Sequence, residues 1–157
     1  EILYPPNLSK EGNSMQIGQD AAGIIIIDEQ DRVLLVHQTY GKKQWATPGG
    51  MVEEGESAWE AAARELKEEI NLTVSGMELS GMYFQPHTNR YVYLFRARSF
   101  EGAPEIDQKE IDQFGFFSLD NLPRPISSFT AKRIRDAVHN TKTVFRNEHL
   151  MDYELLQ

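Results

Sequence analysis

Three glutamates at helical spacing are the feature of this sequence that most constrains what it can form. Glu65 precedes Glu68 by three residues and Glu69 by four, so a helix would place their carboxylates on one face. Like charges at this spacing destabilise an isolated helix by about 0.2–0.5 kcal/mol per pair. A cation bound between them would reverse that effect. The cluster therefore indicates either a solvated acidic face or a cation site.

The residues around these glutamates predict a helix with defined ends. Ser57 and Glu60 form the S-x-x-E pattern of a capping box, in which the serine side chain accepts a hydrogen bond from the first turn. Asn71 stands where a left-handed residue often ends a helix, and asparagine is the usual alternative to glycine there. Apolar residues recur at every fourth position between these ends, at Ala58, Ala62, Leu66 and Ile70.

Charge and composition limit the partners that this chain can have. Its formal net charge is −8, which disfavours binding to nucleic acid through the phosphates and predicts no DNA-binding module. Small phosphorylated ligands are still compatible, because a bound divalent metal can supply positive charge locally. The sequence contains no cysteine, so disulfides and thiolate zinc sites are excluded.

Length and hydropathy predict one soluble domain. A chain of 157 residues is long enough to bury a substantial core. The longest apolar run, residues 21–27, is far shorter than the roughly 20 residues that a membrane helix needs. We therefore expect no membrane association, and a cytoplasmic location is the default expectation.

Five segments have the β-branched, aromatic or alternating character of strands. They are residues 22–27, 33–36, 77–84, 91–98 and 114–118. The first two are separated by a polar turn at residues 28–31, which predicts a hairpin. Strands and helices that follow one another in this way are typical of a sheet covered by helices, the α/β sandwich class.

The ends of the chain are less regular. Residues 1–19 hold two prolines and two glycines and are expected to form an irregular arm. A closing helix is predicted for residues 130–140, with Ile134 and Val138 on its inner face. Residues 141–157 show no clear pattern and are expected to be a tail. All of these segments are assigned to a single domain, residues 1–157.

Eight residues between positions 50 and 72 match a known family pattern. The pattern G-x5-E-x7-R-E-U-x-E-E-x-G-U, with U a bulky aliphatic residue, is the Nudix box, and it is matched by Gly50, Glu56, Arg64, Glu65, Leu66, Glu68, Glu69 and Leu72. Only Asn71 departs from it, at a position that needs a left-handed backbone rather than a functional group. The segment W-A-T-P-G-G at residues 45–50 also resembles the sequence that precedes the box in many members. The chain thus resembles the Nudix hydrolases, of MutT-like type.

The resemblance implies a Nudix-type α/β/α sandwich with a mixed sheet, and it implies roles for the residues of the box. Glu68 and Glu69 would be the main metal ligands, and Glu65 would be a further ligand or the general base. Gly49 or Gly50 would lend a backbone carbonyl to the metal.

Other residues would complete the implied site. Arg64 would hold the carboxylates by ion pairing, and Glu56 would support the site from the loop. Family members often recruit another acid from the loop before the last strand. Glu110 is the best match, with Glu105 and Asp107 as alternatives. A solvated loop acid is an equally good interpretation of Glu110.

The donor set predicts the kind of metal. Carboxylates are hard oxygen ligands that suit magnesium, with manganese as a substitute, whereas zinc prefers nitrogen and sulfur ligands that are scarce here. Such cations neutralise the oxygens around a phosphorus atom and acidify a bound water. The sequence with its resemblance therefore predicts a magnesium-dependent enzyme.

The implied activity is hydrolysis of the pyrophosphate linkage in a nucleoside diphosphate linked to another moiety. The partner would be a small nucleotide-type substrate, such as a normal or oxidised nucleoside triphosphate, ADP-ribose or a nucleotide sugar, a dinucleoside polyphosphate, or the 5′ end of RNA. Two alternatives stay open at this point, a non-catalytic nucleotide-sensing domain and an isomerase on the same fold. A homodimer is also left open.

Overall fold

The computed structural model describes residues 18–106 and 108–157. Most of the predicted arm, residues 1–17, lies outside the described residues. Ten strands occur in the described part: β1 (Ala21–Ile26), β2 (Val33–Gln38), β3 (Trp45–Ala46), β4 (Gly49–Met51), β5 (Glu78–Gln85), β6 (Arg90–Ala97), β7 (Ile111–Phe117), β8 (Ile126–Ser127), β9 (Val144–Asn147) and β10 (Leu155–Leu156). The helices there are α1 (Ala58–Ile70) and α2 (Ser128–His139), with short 3₁₀ turns at Leu119–Asn121 and Leu150–Asp152.

The strands form two five-stranded sheets with helices packed against them. The first has the order β4-β1-β6-β5-β9 and the second the order β10-β8-β3-β2-β7. Each sheet contains both parallel and antiparallel pairs. The predicted α/β class is confirmed, with two mixed sheets where one was expected. Neither described helix is long and apolar enough to cross a bilayer.

The predicted hairpin between the first two strands is correct at its turn and wrong in its pairing. Asp28 accepts backbone hydrogen bonds from Gln30 and Arg32 and closes the turn. A single bridge joins Ile27 to Val33, after which β1 pairs with β4 and β6 while β2 pairs with β3 and β7. Both strands are apolar on both faces, so each can lie inside its own sheet.

Alternate residues of β1 and β2 enter two separate cores. One core packs against α2 and contains Ala21, Ile25, Ile27, Val33, Leu35 and Ile134 among others. The other packs against α1 and contains Ala22, Ile24, Ile26, Leu34, Val36 and Leu66 among others. This alternation follows from the two-residue period of a strand. Helix α1 packs over β1 and β4. Its acidic residues therefore lie beside the strand and the loop that precede the helix.

Helix α1 begins and ends as predicted. The Ser57 side chain accepts a hydrogen bond from the Glu60 backbone N–H at 3.1 Å. At the other end, Asn71 has φ 61° and ψ 32°, and its N–H donates to the Lys67 carbonyl. Asn71 is therefore a left-handed helix stop, as its position in the sequence predicts.

The predicted tail is wrong, because residues 141–157 contain two strands. β9 pairs in parallel with β5, and β10 pairs antiparallel with β8. Within β9 only Val144 is partly buried and the other residues are exposed. An edge strand of this kind lacks the apolar alternation by which strands are recognised in a sequence.

Candidate functional site

The acidic face of α1 lies against the Gly49–Gly50 corner. Gly23 of β1 is opposite Gly49 in the antiparallel β1–β4 pair, and the Ile24 N–H donates to the Pro48 carbonyl at 2.9 Å. These contacts fix the corner to the centre of the first sheet. Because α1 packs on both strands, the backbone of the corner and the glutamates of the helix face each other.

Arg64 is the centre of the site. Its Nε donates to Glu56 Oε2 at 2.7 Å and its Nη2 to Glu56 Oε1 at 3.1 Å. Its Nη1 donates to Glu65 Oε1 at 2.9 Å and to Glu68 Oε2 at 3.1 Å. Nη2 also donates to the Met51 carbonyl at 3.1 Å. One guanidinium thus holds three carboxylates and the strand that follows the corner, a fork geometry that lysine could not supply.

The charge on Arg64 is matched most closely by Glu56. Hydrogen bonding to the guanidinium holds the pKa of Glu56 below its usual value. Glu53, which the sequence did not single out, adds a longer ion pair to Arg64 at 3.7 Å. The loop between β4 and α1 is therefore tied to the helix by charge.

Glu69 occupies the buried end of the cluster. Glu69 is only 7% exposed. Its Oε2 accepts a hydrogen bond from the Gly49 N–H at 3.1 Å. Burial raises the pKa of Glu69 well above its ordinary value, and repulsion from Glu65, Glu110 and Glu68 adds to the rise. The negative charge of this carboxylate is therefore unfavourable in its environment, and a nearby positive charge would stabilise it.

Glu65 and Glu110 complete the set of interacting acids. Burial raises the pKa of Glu65, while Arg64 acts in the opposite direction. Glu110 is exposed in the loop before β7, and its charge acts in the same direction on the pKa values of both Glu65 and Glu69. Glu105 donates its backbone N–H to the Ile70 carbonyl at the end of α1. Asp107, the other alternative, lies outside the described residues.

The donors fit a hard divalent cation in their chemistry. All are oxygens, and Glu69 is both buried and repelled by its neighbours, the conditions that a bound cation relieves. Across residues 18–106 and 108–157, however, no three acidic or histidine side chains converge on a common point for a metal. Glu65 and Glu68 are turned toward Arg64. A cation bound by Glu65 and Glu68 would have to replace part of their contact with Arg64.

Gly50 leaves room for Glu65. A Cβ added at residue 50 would lie inside contact distance of the Glu65 carboxylate. A glycine is thus needed here for a close approach of a side chain to the backbone.

Gly50→Ala is expected to lower the hydrolytic activity that the family resemblance implies by about 10²-fold, because a displacement of about 1 Å in a site can have that effect. The fold should survive, since the Glu65 side chain can move. The measurement is turnover with magnesium alongside the circular dichroism spectrum. Gly76→Ala is the matched control, because no atom lies within 4 Å of a Cβ added there, and its activity should match that of the wild type. Full activity in Gly50→Ala would show that the position of Glu65 is unimportant.

Tyr40 is a residue of this site that the sequence does not reveal. It lies in the loop between β2 and β3 and is half-buried. Burial raises the pKa of its phenol, and the charges of Glu69, Glu110 and Glu65 raise it further. Its electrostatic interaction with these acids depends on tertiary structure, and no motif in the sequence marks it.

Comparisons with known proteins give the family. A family model described as NUDIX domain matches residues 18–137. An ADP-ribose pyrophosphatase of Methanocaldococcus jannaschii is 35% identical over 63% of this chain and 62% of its own length. The NAD-capped RNA hydrolase NudC of Pseudomonas aeruginosa is 31% identical over 64% of this chain and 36% of its own length. This chain therefore spans less than two thirds of the length of either relative.

Solved structures agree on the fold. The crystal structure of a MutT NUDIX hydrolase from Burkholderia pseudomallei superposes with a TM-score of 0.68, at 24% identity, over 75% of this chain and 96% of that one. The family model includes β1, the Gly49–Gly50 corner, all of α1 and the segment with Glu110. With most of its length matched and its acidic box gathered around Arg64, this chain belongs to the Nudix family.

Proposed function

We propose that this protein is a magnesium-dependent hydrolase that splits the pyrophosphate linkage of a nucleoside diphosphate linked to another moiety. The observation that carries the proposal is the buried Glu69 carboxylate, which is held against the Gly49 N–H and repelled by three neighbouring acids. Such a group is stabilised by a cation. Nudix hydrolases generally need divalent metal ions, which also supports the proposal.

Each residue of the acidic cluster has a proposed role. Glu65, Glu68 and Glu69 would hold the metal, together with the backbone carbonyl of Gly49 or Gly50. When bound, magnesium supplies positive charge to the phosphate oxygens and acidifies water. Carboxylate ligands are positioned by Arg64, which is itself anchored to Glu56.

Glu110 is the proposed proton acceptor for the attacking water. Glu65 already accepts a hydrogen bond from the Arg64 guanidinium, so part of its carboxylate is engaged before a water arrives. Glu110 is exposed, and none of the ion pairs in the described part of the chain involves its carboxylate. Its charge also acts on Glu65 and Glu69, which supports a role for this exposed carboxylate as a proton acceptor.

The names of the relatives support several candidate substrates. One relative is named for ADP-ribose and another for NAD-capped RNA. We therefore include ADP-ribose and NAD-capped RNA among the candidate substrates, together with nucleoside triphosphates, oxidised nucleoside triphosphates and dinucleoside polyphosphates.

A panel of these compounds, incubated with the full chain and magnesium and resolved by chromatography, tests the proposal. Release of a nucleoside monophosphate from at least one compound is expected. Addition of EDTA should reduce the rate to the uncatalysed background, and excess magnesium or manganese should restore it. Hydrolysis that continues in EDTA would contradict the metal requirement, and no product from any compound would contradict the activity.

One observation favours a second candidate, a nucleotide-sensing domain without catalysis. In the described part of the chain the carboxylates are engaged by Arg64 rather than gathered as a metal site. Tight, metal-independent binding of a nucleotide that is recovered intact would support the sensor. The complete set of acidic box residues favours the enzyme.

A further inference from the structure

Strand β7 contains an irregularity where it pairs with the end of β2. His37 of β2 is opposite Gln113. The next residue of β2, Gln38, is opposite Ile111. Asp112 is therefore an extra residue that has no partner in the ladder, as in a β-bulge. Bulges bend a strand and redirect the side chains around them, so this one affects how the start of β7 is presented.

The bulge changes the face to which the start of β7 points. Ile111 and Phe116 are five residues apart, and in a regular strand an odd separation places two side chains on opposite faces. Both nevertheless pack into the core that contains Leu66 of α1, where Ile111 is only 1% exposed. The extra residue Asp112 accounts for this, because it adds one position between them. Ile111, which directly follows Glu110, thus anchors the start of β7 to the core around α1.

The side chain of the extra residue is held by β2. Asp112 Oδ1 lies 2.6 Å from Nδ1 of His37. The other ring nitrogen of His37, Nε2, donates to the Lys43 carbonyl at 2.9 Å, since a carbonyl can only accept. The imidazole also packs against Trp45, with the ring centroids 5.2 Å apart. His37 is therefore fixed on two sides, and its contact with Asp112 fixes the bulge.

Backbone hydrogen bonds connect the bulge to Glu110. The Thr39 N–H donates to the Glu110 carbonyl at 2.9 Å, and the Thr39 hydroxyl donates to the Lys109 carbonyl. Thr39 follows His37 by two residues, and Glu110 precedes Asp112 by two. The side-chain contact and these backbone bonds therefore flank the same junction, and the exposed Glu110 side chain extends from a backbone that is held in place.

We propose that His37 and Asp112 are positioning residues for Glu110, because their contact pins the bulge and so sets the direction in which the Glu110 carboxylate meets the attacking water. This inference rests on the proposed function, in which Glu110 is the proton acceptor. The two residues act through Glu110 rather than on the substrate. Asp112 is exposed, and ion pairs with an exposed partner contribute little to stability. Loss of the contact should therefore affect turnover rather than folding.

Asp112→Ala tests the inference by removing the carboxylate and leaving the backbone. For the best substrate of the panel, kcat should fall about tenfold to a hundredfold while KM stays within about twofold, because a displacement of about 1 Å in a site can have that effect. The melting temperature should stay within about 4 °C of that of the wild type. Asp112→Asn should keep most of the turnover, since an amide can donate to or accept from Nδ1 of His37.

Gln113→Ala is the matched control for these variants. Gln113 is the next residue of β7, is also exposed, and is the regular ladder partner of His37. Its kcat should match that of the wild type. An unchanged kcat in Asp112→Ala would overturn the inference. A loss that Asp112→Asn shares in full would also overturn it, because the contact with His37 survives in that variant.

A double-mutant cycle shows whether the pair acts through Glu110. Removing a general base typically costs about 10²–10⁴-fold, which leaves a residual rate that can be measured in Glu110→Gln. In that background Asp112→Ala should change kcat by less than about twofold, because the group that it positions no longer takes a proton. If the two losses simply multiply, the residues act independently and the inference is wrong.

Hydrogen exchange separates this inference from the proposed function, because it needs no substrate. The Thr39 N–H donates to the Glu110 carbonyl, so its exchange rate, measured by NMR, reports on the junction. Asp112→Ala should speed this exchange about tenfold or more, whereas Asp112→Asn and Gln113→Ala should leave it as in the wild type. Equal rates in all four proteins would overturn the positioning role. If exchange is faster in Asp112→Ala but the wild type hydrolyses no compound of the panel, the pinned bulge stands and only the proposed hydrolysis fails.

Discussion

Glu69→Gln is expected to lose metal-dependent hydrolysis by at least about 10²-fold while its circular dichroism spectrum stays unchanged. The substitution keeps the shape of the side chain and an oxygen that can accept from the Gly49 N–H. It removes the negative charge that is buried deepest in the cluster. A metal contributes several kcal/mol to such reactions, and each 1.36 kcal/mol corresponds to a factor of ten in rate. The measurement is turnover of the best panel substrate at saturating magnesium.

Glu60→Gln is the control for this variant. Glu60 lies on the same helix but is exposed, and Arg64 forms its ion pairs with Glu53, Glu56, Glu65 and Glu68 instead. Its activity should match that of the wild type. Turnover in Glu69→Gln within about tenfold of the wild type would rule out Glu69 as a main metal ligand.

The same substitution has an opposite effect on the stability of the metal-free protein. The pKa of Glu69 is raised in the folded state above its ordinary value of 4.5. The folded state therefore binds a proton more tightly than the unfolded state, and the stability from this group is lost as the pH rises through the raised pKa. In EDTA, Glu69→Gln should gain stability over the wild type as the pH increases from about 5 to 8. Urea denaturation at both pH values measures the difference, and a constant difference would contradict the shift.

Local features of the site can be predicted from the sequence because they depend on residues close together in the chain. The cap at Ser57, the left-handed Asn71 and the face shared by Glu65, Glu68 and Glu69 all follow from helical spacing. The engagement of Glu65 and Glu68 by Arg64 also lies within one turn of the helix. A local pattern is therefore sufficient to describe most of α1.

Features that depend on distant parts of the chain are not accessible in this way. The turn at residues 28–31 can be predicted from the sequence, but the separation of β1 and β2 into different sheets depends on their pairing with β6 and β7. β9 forms because its backbone pairs with the edge strand β5. The position of Tyr40 depends on bonds from Thr39 to residues 109 and 110, some seventy positions later. These outcomes are decided by tertiary contacts rather than by local preference.

Arg64→Ala is expected to have the largest effect on stability, lowering the free energy of unfolding at neutral pH by about 3 kcal/mol. The substitution leaves the poorly exposed carboxylates of Glu56 and Glu65 without their counter-ion, and breaking an ion pair of this kind typically costs about 3–5 kcal/mol. For a domain of this size the melting temperature should fall by about 6–12 °C. The measurement is urea denaturation in EDTA, with Arg98→Ala as the control, because the Arg98–Asp31 pair is more than half exposed on both sides. That control should change stability by no more than about 0.5 kcal/mol.

The effect of Arg64→Ala should also depend on pH in a defined direction. Arg64 lowers the pKa of Glu56 in the folded state, so this interaction stabilises the protein above the ordinary glutamate value of 4.5 and is lost as the pH falls through the lowered pKa. The stability difference between the wild type and Arg64→Ala should therefore shrink as the pH falls below that value. A difference that stays the same at acidic pH would mean that Arg64 acts through packing rather than through charge.

Arg64→Lys separates the charge of Arg64 from its geometry. The lysine keeps the positive charge but cannot reproduce the paired contacts with Glu56. A large loss of stability in this variant as well would show that the geometry of the guanidinium is required.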